Sequence, residues 1–359
     1  MVPPTSATAC PRAWLRSPAW DICLLGFCWV PFYVWAVFGL GVDGSWAAGK
    51  APQASLAWAT TVALAITYVH RHYTFLLVYG DREAFRQRAR DFVLAPLLVV
   101  AAVGLCRGAG GMTWKVLLVV VGLWNVWHTV MQRFGILRIY AGKAGHGLEE
   151  RVHGRRDLAL LWSSVIFISW LTLVLRMETF AGQANARLLL RLVRPVTSGT
   201  GAWVLLVALA VGWLVFLLYW LRHELRAELT MRKRLPRFFF LVSTLTLLAV
   251  FVVHGPIVGY LCFGVAHALE YVAFVHHFGE QKFAHSGSTG LTAFLMRRPL
   301  LAAPLLIGVL LTAFIVLRNS RDTDLYVTYY LGTSLVHFLF DGWIWKVRRP
   351  EVRRPLGVV

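Results

Sequence analysis

The chain has 359 residues, 58% of them hydrophobic and 14% aromatic, with a mean hydropathy of +0.62. A composition this apolar excludes a water-soluble globular domain. The net charge of +19 would point a soluble protein toward nucleic acid, but here the Lys and Arg residues concentrate in short connections between apolar runs, where they set membrane topology; no nucleic-acid partner is expected.

About 20 apolar residues cross a hydrocarbon core, and on that measure the expected fold is an all-α, polytopic membrane bundle. Ten spans are read, at roughly 19–41, 56–79, 92–107, 114–134, 158–176, 202–221, 238–254, 256–276, 299–318 and 325–345. A segment 1–18 precedes one helical domain, 19–345, and a basic tail, 346–359, follows it. Residues 1–18 carry Arg12 and Arg16 but no A-x-A-like cleavage site, so the first helix is expected to be retained. Counting Lys and Arg in alternate connections puts both termini on the cytoplasmic side of a multi-pass, cytoplasm-facing membrane such as a bacterial inner membrane. The connection GKAGHGLEERVHGRRD, 142–157, is a charged loop whose His146 and His153 are expected to be solvated. Cys10, Cys23, Cys28, Cys106 and Cys262 form no CxxC pair and give no disulfide framework. No long internal repeat is visible, which disfavours an inverted-repeat transporter.

Polar residues fall on four of these spans. The second carries His70, Arg71 and His72. The fourth carries Asn125, His128 and Gln132 on one face, and the eighth carries His267, Glu270 and His277 on one broad face. The tenth carries His337 and Asp341 one turn apart. Of seventeen acidic residues, only Glu270 and Asp341 read as deeply immersed. All four spans are even-numbered and run the same way. His70, His128, His267 and His337 precede their cytoplasmic ends by six to nine residues, which at about 1.5 Å per residue places them in one layer roughly 9–14 Å below that interface.

A lone intramembrane histidine is as well explained by interhelical hydrogen bonding as by ligation. Four at one depth, with two carboxylates, point to a shared site. Neutral imidazoles and carboxylates from facing helices make an N/O site suited to iron, one ion or two, or to zinc. The metal-ligand candidates are His70, His72, His128, His267, His277 and His337, with Glu270 and Asp341 as catalytic carboxylates. His70 and His72 are alternatives, because neighbours two apart on a helix face nearly opposite ways. Asn125 and Gln132 are candidate partners that orient the imidazoles. Asp341 has a second reading, as the partner of Lys346 or Arg71.

The segments VHFLFDGWIWK and YLCFGVAHALEYVAFVHH resemble the late His-then-acid helix and the penultimate His helix of the bacterial membrane β-carotene dioxygenases, within the broad class of integral-membrane non-haem iron enzymes. YVHRHY and FVHHFGE match neither of the histidine boxes of the membrane desaturases. The resemblance covers about the last third of the chain. It implies iron held by His70 or His72, His128, His267 and His337, O₂ chemistry on a hydrophobic lipid or isoprenoid chain, and an electron donor. Two other functions fit the same residues: a haem-binding electron-transfer protein with axial histidines, and a proton- or cation-coupled transporter using the His, Glu and Asp groups.

Overall fold

The computed structural model describes residues 13–42, 53–145, 151–176, 194–227, 229–284, 290–320 and 323–358, and every regular element among them is helical. In chain order these are a bent pair, α1 (Pro18–Gly26) and α2 (Val30–Gly39), turning by 48°, then α3 (Gln53–Gly80), α4 (Arg82–Gln87), α5 (Ala89–Ala109), α6 (Gly111–Ala144) and α7 (Arg151–Arg176). There follow α8 (Thr200–Arg226), α9 (Met231–His254), α10 (Pro256–Phe283), α11 (Leu291–Arg297), α12 (Pro299–Arg318), α13 (Thr323–Ile344) and the short α14 (Pro350–Arg353).

Length and apolar composition qualify six of these helices as candidate membrane spans, or eight if each of two bent pairs is one span. α3 and α13 lie where the second and tenth spans are expected, yet neither is among the six. They carry His70, Arg71 and His72, and His337 and Asp341, side chains that lower hydropathy along the helix.

Two links are single glycines. Gly110, at φ +61°, joins α5 to α6, and Gly255, at φ +86°, joins α9 to α10; a left-handed backbone is open to glycine and strained for other residues. With Pro256 at the first position of α10, which suits its fixed φ, the chain reverses within one residue. α10 is the central helix: 61% of its apolar stretch is buried, against 11% for the peripheral α8. Cys262, Phe263, Val265 and Ala266 place it in the main core with Leu247 and Leu248 of α9.

α3, α6, α10 and α13 run parallel. The pairs Thr67–Tyr330, His70–His337 and Thr74–Asp341 climb α3 and α13 together, and Asn125–Tyr260 and Arg133–Glu270 do so on α6 and α10. Equal depths in sequence therefore become equal heights in space.

Two features add to the sequence reading. The basic segment after α13 packs back onto the bundle: Val352, Leu356 and Val358 are buried in the main core, and Lys143 Nζ donates to the Leu356 carbonyl at 3.0 Å. Buried acids are also more numerous than the two read from the sequence. Asp21 accepts from the Leu15 and Arg16 amides and the Tyr140 hydroxyl, while Asp157 and Glu224 are buried against Arg237. Hydrogen bonds to Asp21 and ion pairs to Asp157 and Glu224 satisfy these carboxylates, which hydropathy does not register.

Candidate metal centre

Each of the four parallel helices brings one imidazole to a common height. The rings form a closed square with centroid separations of 4.7 Å (His70–His337), 4.9 Å (His337–His128), 5.0 Å (His128–His267) and 4.8 Å (His267–His70). His267 and His337 face each other across it at 6.1 Å. All four are buried, His337 completely. Asp341 completes the group, with Oδ2 3.5 Å from His128 Nε2 and 3.6 Å from His337 Nε2.

Two overlapping sets of donor atoms lie within 4.8 Å of one another, His70–His267–His337 and His128–His337–Asp341. His337 belongs to both. Its Nδ1 is 2.7 Å from Thr74 Oγ1, and its Nε2 is 3.2 Å from His70 Nε2. Both nitrogens of His267, Nδ1 of His70 and Nε2 of His128 are buried without hydrogen-bond partners. A buried polar atom left unpaired costs about 1–3 kcal/mol, so a cluster of them is expensive as packing. An ion that accepts imidazole and carboxylate donors would satisfy it, and helices of a bundle core hold such donors rigidly. The residues therefore fit a metal.

No protein-family model matches the chain, and no curated protein or solved structure does so either.

A shell of oxygen groups backs the square. Thr74 Oγ1 donates to Asp341 Oδ1 at 2.9 Å and lies 2.6 Å from the Tyr271 hydroxyl, which donates to the same carboxylate oxygen at 2.8 Å. Trp345 Nε1 in turn donates to that hydroxyl at 3.3 Å. If His337 offers Nε2 to an ion, Nδ1 carries the proton and donates to Thr74 Oγ1, so the threonine fixes the tautomer. Gln132 Nε2 donates to the His267 carbonyl at 3.1 Å. Every imidazole of the square has an oxygen-bearing side chain four residues on: His70–Thr74, His128–Gln132, His267–Tyr271 and His337–Asp341. Sequence reading picks out Gln132 and Asp341 but assigns no role to Thr74 or to the Tyr271 hydroxyl; the i, i+4 recurrence is the signal that finds them.

Other candidates lie elsewhere. His72 points away from the square, with Nδ1 2.7 Å from the Tyr68 carbonyl and Nε2 2.8 Å from the Tyr329 hydroxyl. Glu270 is ion-paired with Arg133, which also donates to Thr244 Oγ1 at 2.8 Å, and belongs to neither donor set. His277 packs its ring against Trp20, centroids 5.5 Å apart, almost three turns beyond His267. Asn125 donates to the Tyr260 hydroxyl at 2.8 Å. Asp341 hydrogen-bonds Thr74 and Tyr271 rather than Lys346 or Arg71. His153 accepts from Arg156 at 2.6 Å, and His146 lies outside the described residues.

Proposed function

We propose that the chain is a membrane-embedded, metal-dependent oxidoreductase that acts with O₂ on a lipid or isoprenoid, its metal held by His70, His128, His267, His337 and Asp341. The observation that carries this reading is the convergence of four buried imidazoles, one from each of four parallel helices, with ring nitrogens of His70, His128 and His267 lacking partners and Asp341 beside His128 and His337. Iron is the metal proposed, by resemblance to the membrane non-haem iron class, with zinc as the alternative for the same donors. One ion is favoured over two, because both donor sets draw on His337, whose Nδ1 is already engaged by Thr74. Packed rings 4.7–5.0 Å apart around the square suit a bare ion better than a flat porphyrin. Bound there, iron supplies the one-electron chemistry that O₂ requires; the chain orients the imidazoles through Thr74, holds Asp341 through Tyr271, and excludes water by burial.

In the membrane, this reading adds α3 and α13 to the candidate spans, giving ten with both termini cytoplasmic, and draws electrons from a donor on that side. The test is elemental analysis of the purified full chain. About one iron per chain is expected, lost in His128→Ala and His267→Ala and retained in His72→Ala. Metal content unchanged by the first two substitutions refutes the site.

A further inference from the structure

Arg71 follows His70 on α3 and is 2% exposed. Its guanidinium carbon sits 3.6 Å from the centre of the Tyr330 ring, and Nη1 donates to Ser334 Oγ at 2.9 Å. The other two nitrogens, Nε and Nη2, are buried and have no hydrogen-bond partner. Among the described residues no carboxylate forms an ion pair with Arg71. A guanidinium stays protonated in proteins. A full positive charge is thus carried into the interior beside the imidazole layer, met only by a ring face and a hydroxyl, neither of which supplies the opposite charge that a buried cation calls for.

The two idle nitrogens share one edge of the planar fork, where parallel N–H bonds engage both oxygens of a carboxylate at once. The same chain shows that edge in use: Arg237 Nε donates to Glu224 Oε2 at 3.2 Å and Nη2 to Glu224 Oε1 at 2.7 Å, both side chains buried. Arg71 presents the equivalent edge with no internal carboxylate on it. The Tyr326 hydroxyl, also buried without a partner, belongs to a ring whose centroid is 6.0 Å from that of Tyr330.

We propose that the Nε/Nη2 edge of Arg71 is the seat of a carboxylate-bearing ligand, so that the substrate of the metal centre enters as the anion of a carboxylic acid. Arg71 is next to His70, and Ser334 precedes His337 by about one turn, so the seat adjoins the imidazoles. Charge points the same way. A divalent ion offset by Asp341 alone keeps one excess positive charge and Arg71 adds a second, Arg133 being already neutralised by Glu270; a carboxylate reduces that excess. A phosphate carries more charge and a larger hydration cost into an apolar interior. The catalytic meaning rests on the metal-centre reading, but the seat is built by Arg71, Ser334 and Tyr330 and needs no ion.

Equilibrium binding of radiolabelled palmitate to the full chain in nanodiscs tests this, with hexadecanol as the neutral control, acetate as a small carboxylate, and metal content measured on every sample. Palmitate is expected to bind the wild type and to weaken by about tenfold or more in Arg71→Gln and in Arg71→Lys, which keeps the charge but loses the two-pronged edge. Hexadecanol binding stays unchanged, and wild-type metal content in the variants confirms their fold. Arg71-dependent binding of acetate without palmitate supports the seat and assigns it to a small carboxylate. Binding of both that is indifferent to Arg71, or absent from the wild type, overturns it. A wild type that binds palmitate through Arg71 yet takes up no metal sinks the metal reading and leaves the seat standing.

Discussion

His70 Nε2 and His337 Nε2 lie 3.2 Å apart across α3 and α13, so either one of them keeps a proton for the other or both turn their lone pairs on a shared cation. The second arrangement makes stability depend on metal. Apparent unfolding free energy is expected to rise by about 2.7 kcal/mol when free metal reaches 100 times its dissociation constant, and a chelator should reverse the gain. The sign with pH follows from ligation: an imidazole must be neutral to bind, so acidification releases metal. Thermal unfolding with and without chelator, from pH 8 to pH 5, checks both. Midpoints indifferent to metal at every pH count against the site.

His267 offers a sharper discrimination, since neither of its ring nitrogens has a partner. Replacing it with leucine removes two unpaired polar atoms, each costing about 1–3 kcal/mol, and sets an apolar side chain against the rings of His70 and His128. His267→Leu is therefore expected to abolish metal binding while leaving the metal-free protein as stable as before, or more so. A packing histidine gives the opposite result: lower stability and no change in metal.

Thr74 acts on the centre without belonging to either donor set. Its hydroxyl touches His337 Nδ1, Asp341 Oδ1 and the Tyr271 hydroxyl, and Thr74→Val keeps the shape while removing all three contacts. Metal affinity is expected to fall by about 10- to 100-fold, measured by competition with a chelator of known affinity. Thr74→Ser should retain most of it.

Arg133 and Glu270 form a buried pair, 1% and 0% exposed. Breaking it from either side strands a charge and should cost about 3–5 kcal/mol, whereas Arg133→Met with Glu270→Leu removes both charges and should recover most of that loss. Metal content should stay at the wild-type level in the double variant. A double-mutant cycle on unfolding free energy, with metal analysis of each member, separates this structural role of Glu270 from a ligand role.

Much of this architecture is legible in the chain. The ionisable groups stand out because they interrupt long apolar runs, and their equal distances from the span ends become one height because the four helices run parallel. What pattern alone leaves open is which way each side chain turns. His70 and His72 look equivalent on paper, and the Tyr68 carbonyl with the Tyr329 hydroxyl decides between them by occupying both nitrogens of His72. Glu270 reads as a site carboxylate because Arg133 is 137 residues away and nothing local announces the pairing. Asp157 and Glu224 escape notice because their partners Arg138 and Arg237 sit on other helices. A length-and-hydropathy criterion also leaves out α3 and α13, which supply His70, His337 and Asp341, while it admits α6 and α10 with His128 and His267.

Arg138 of α6, Asp157 of α7, Glu224 of α8 and Arg237 of α9 form one buried set in which the acids and the bases cancel. Each of four consecutive helices contributes one member, so these ion pairs are complete only when the last is in place. During synthesis, a ribosome that has released α7 but not α9 leaves the cluster incomplete, with Glu224 still lacking the Arg237 fork. Biogenesis of this half should accordingly require α6 through α9 to be held together near the insertion machinery until Arg237 arrives, independently of whether the histidine centre has yet formed.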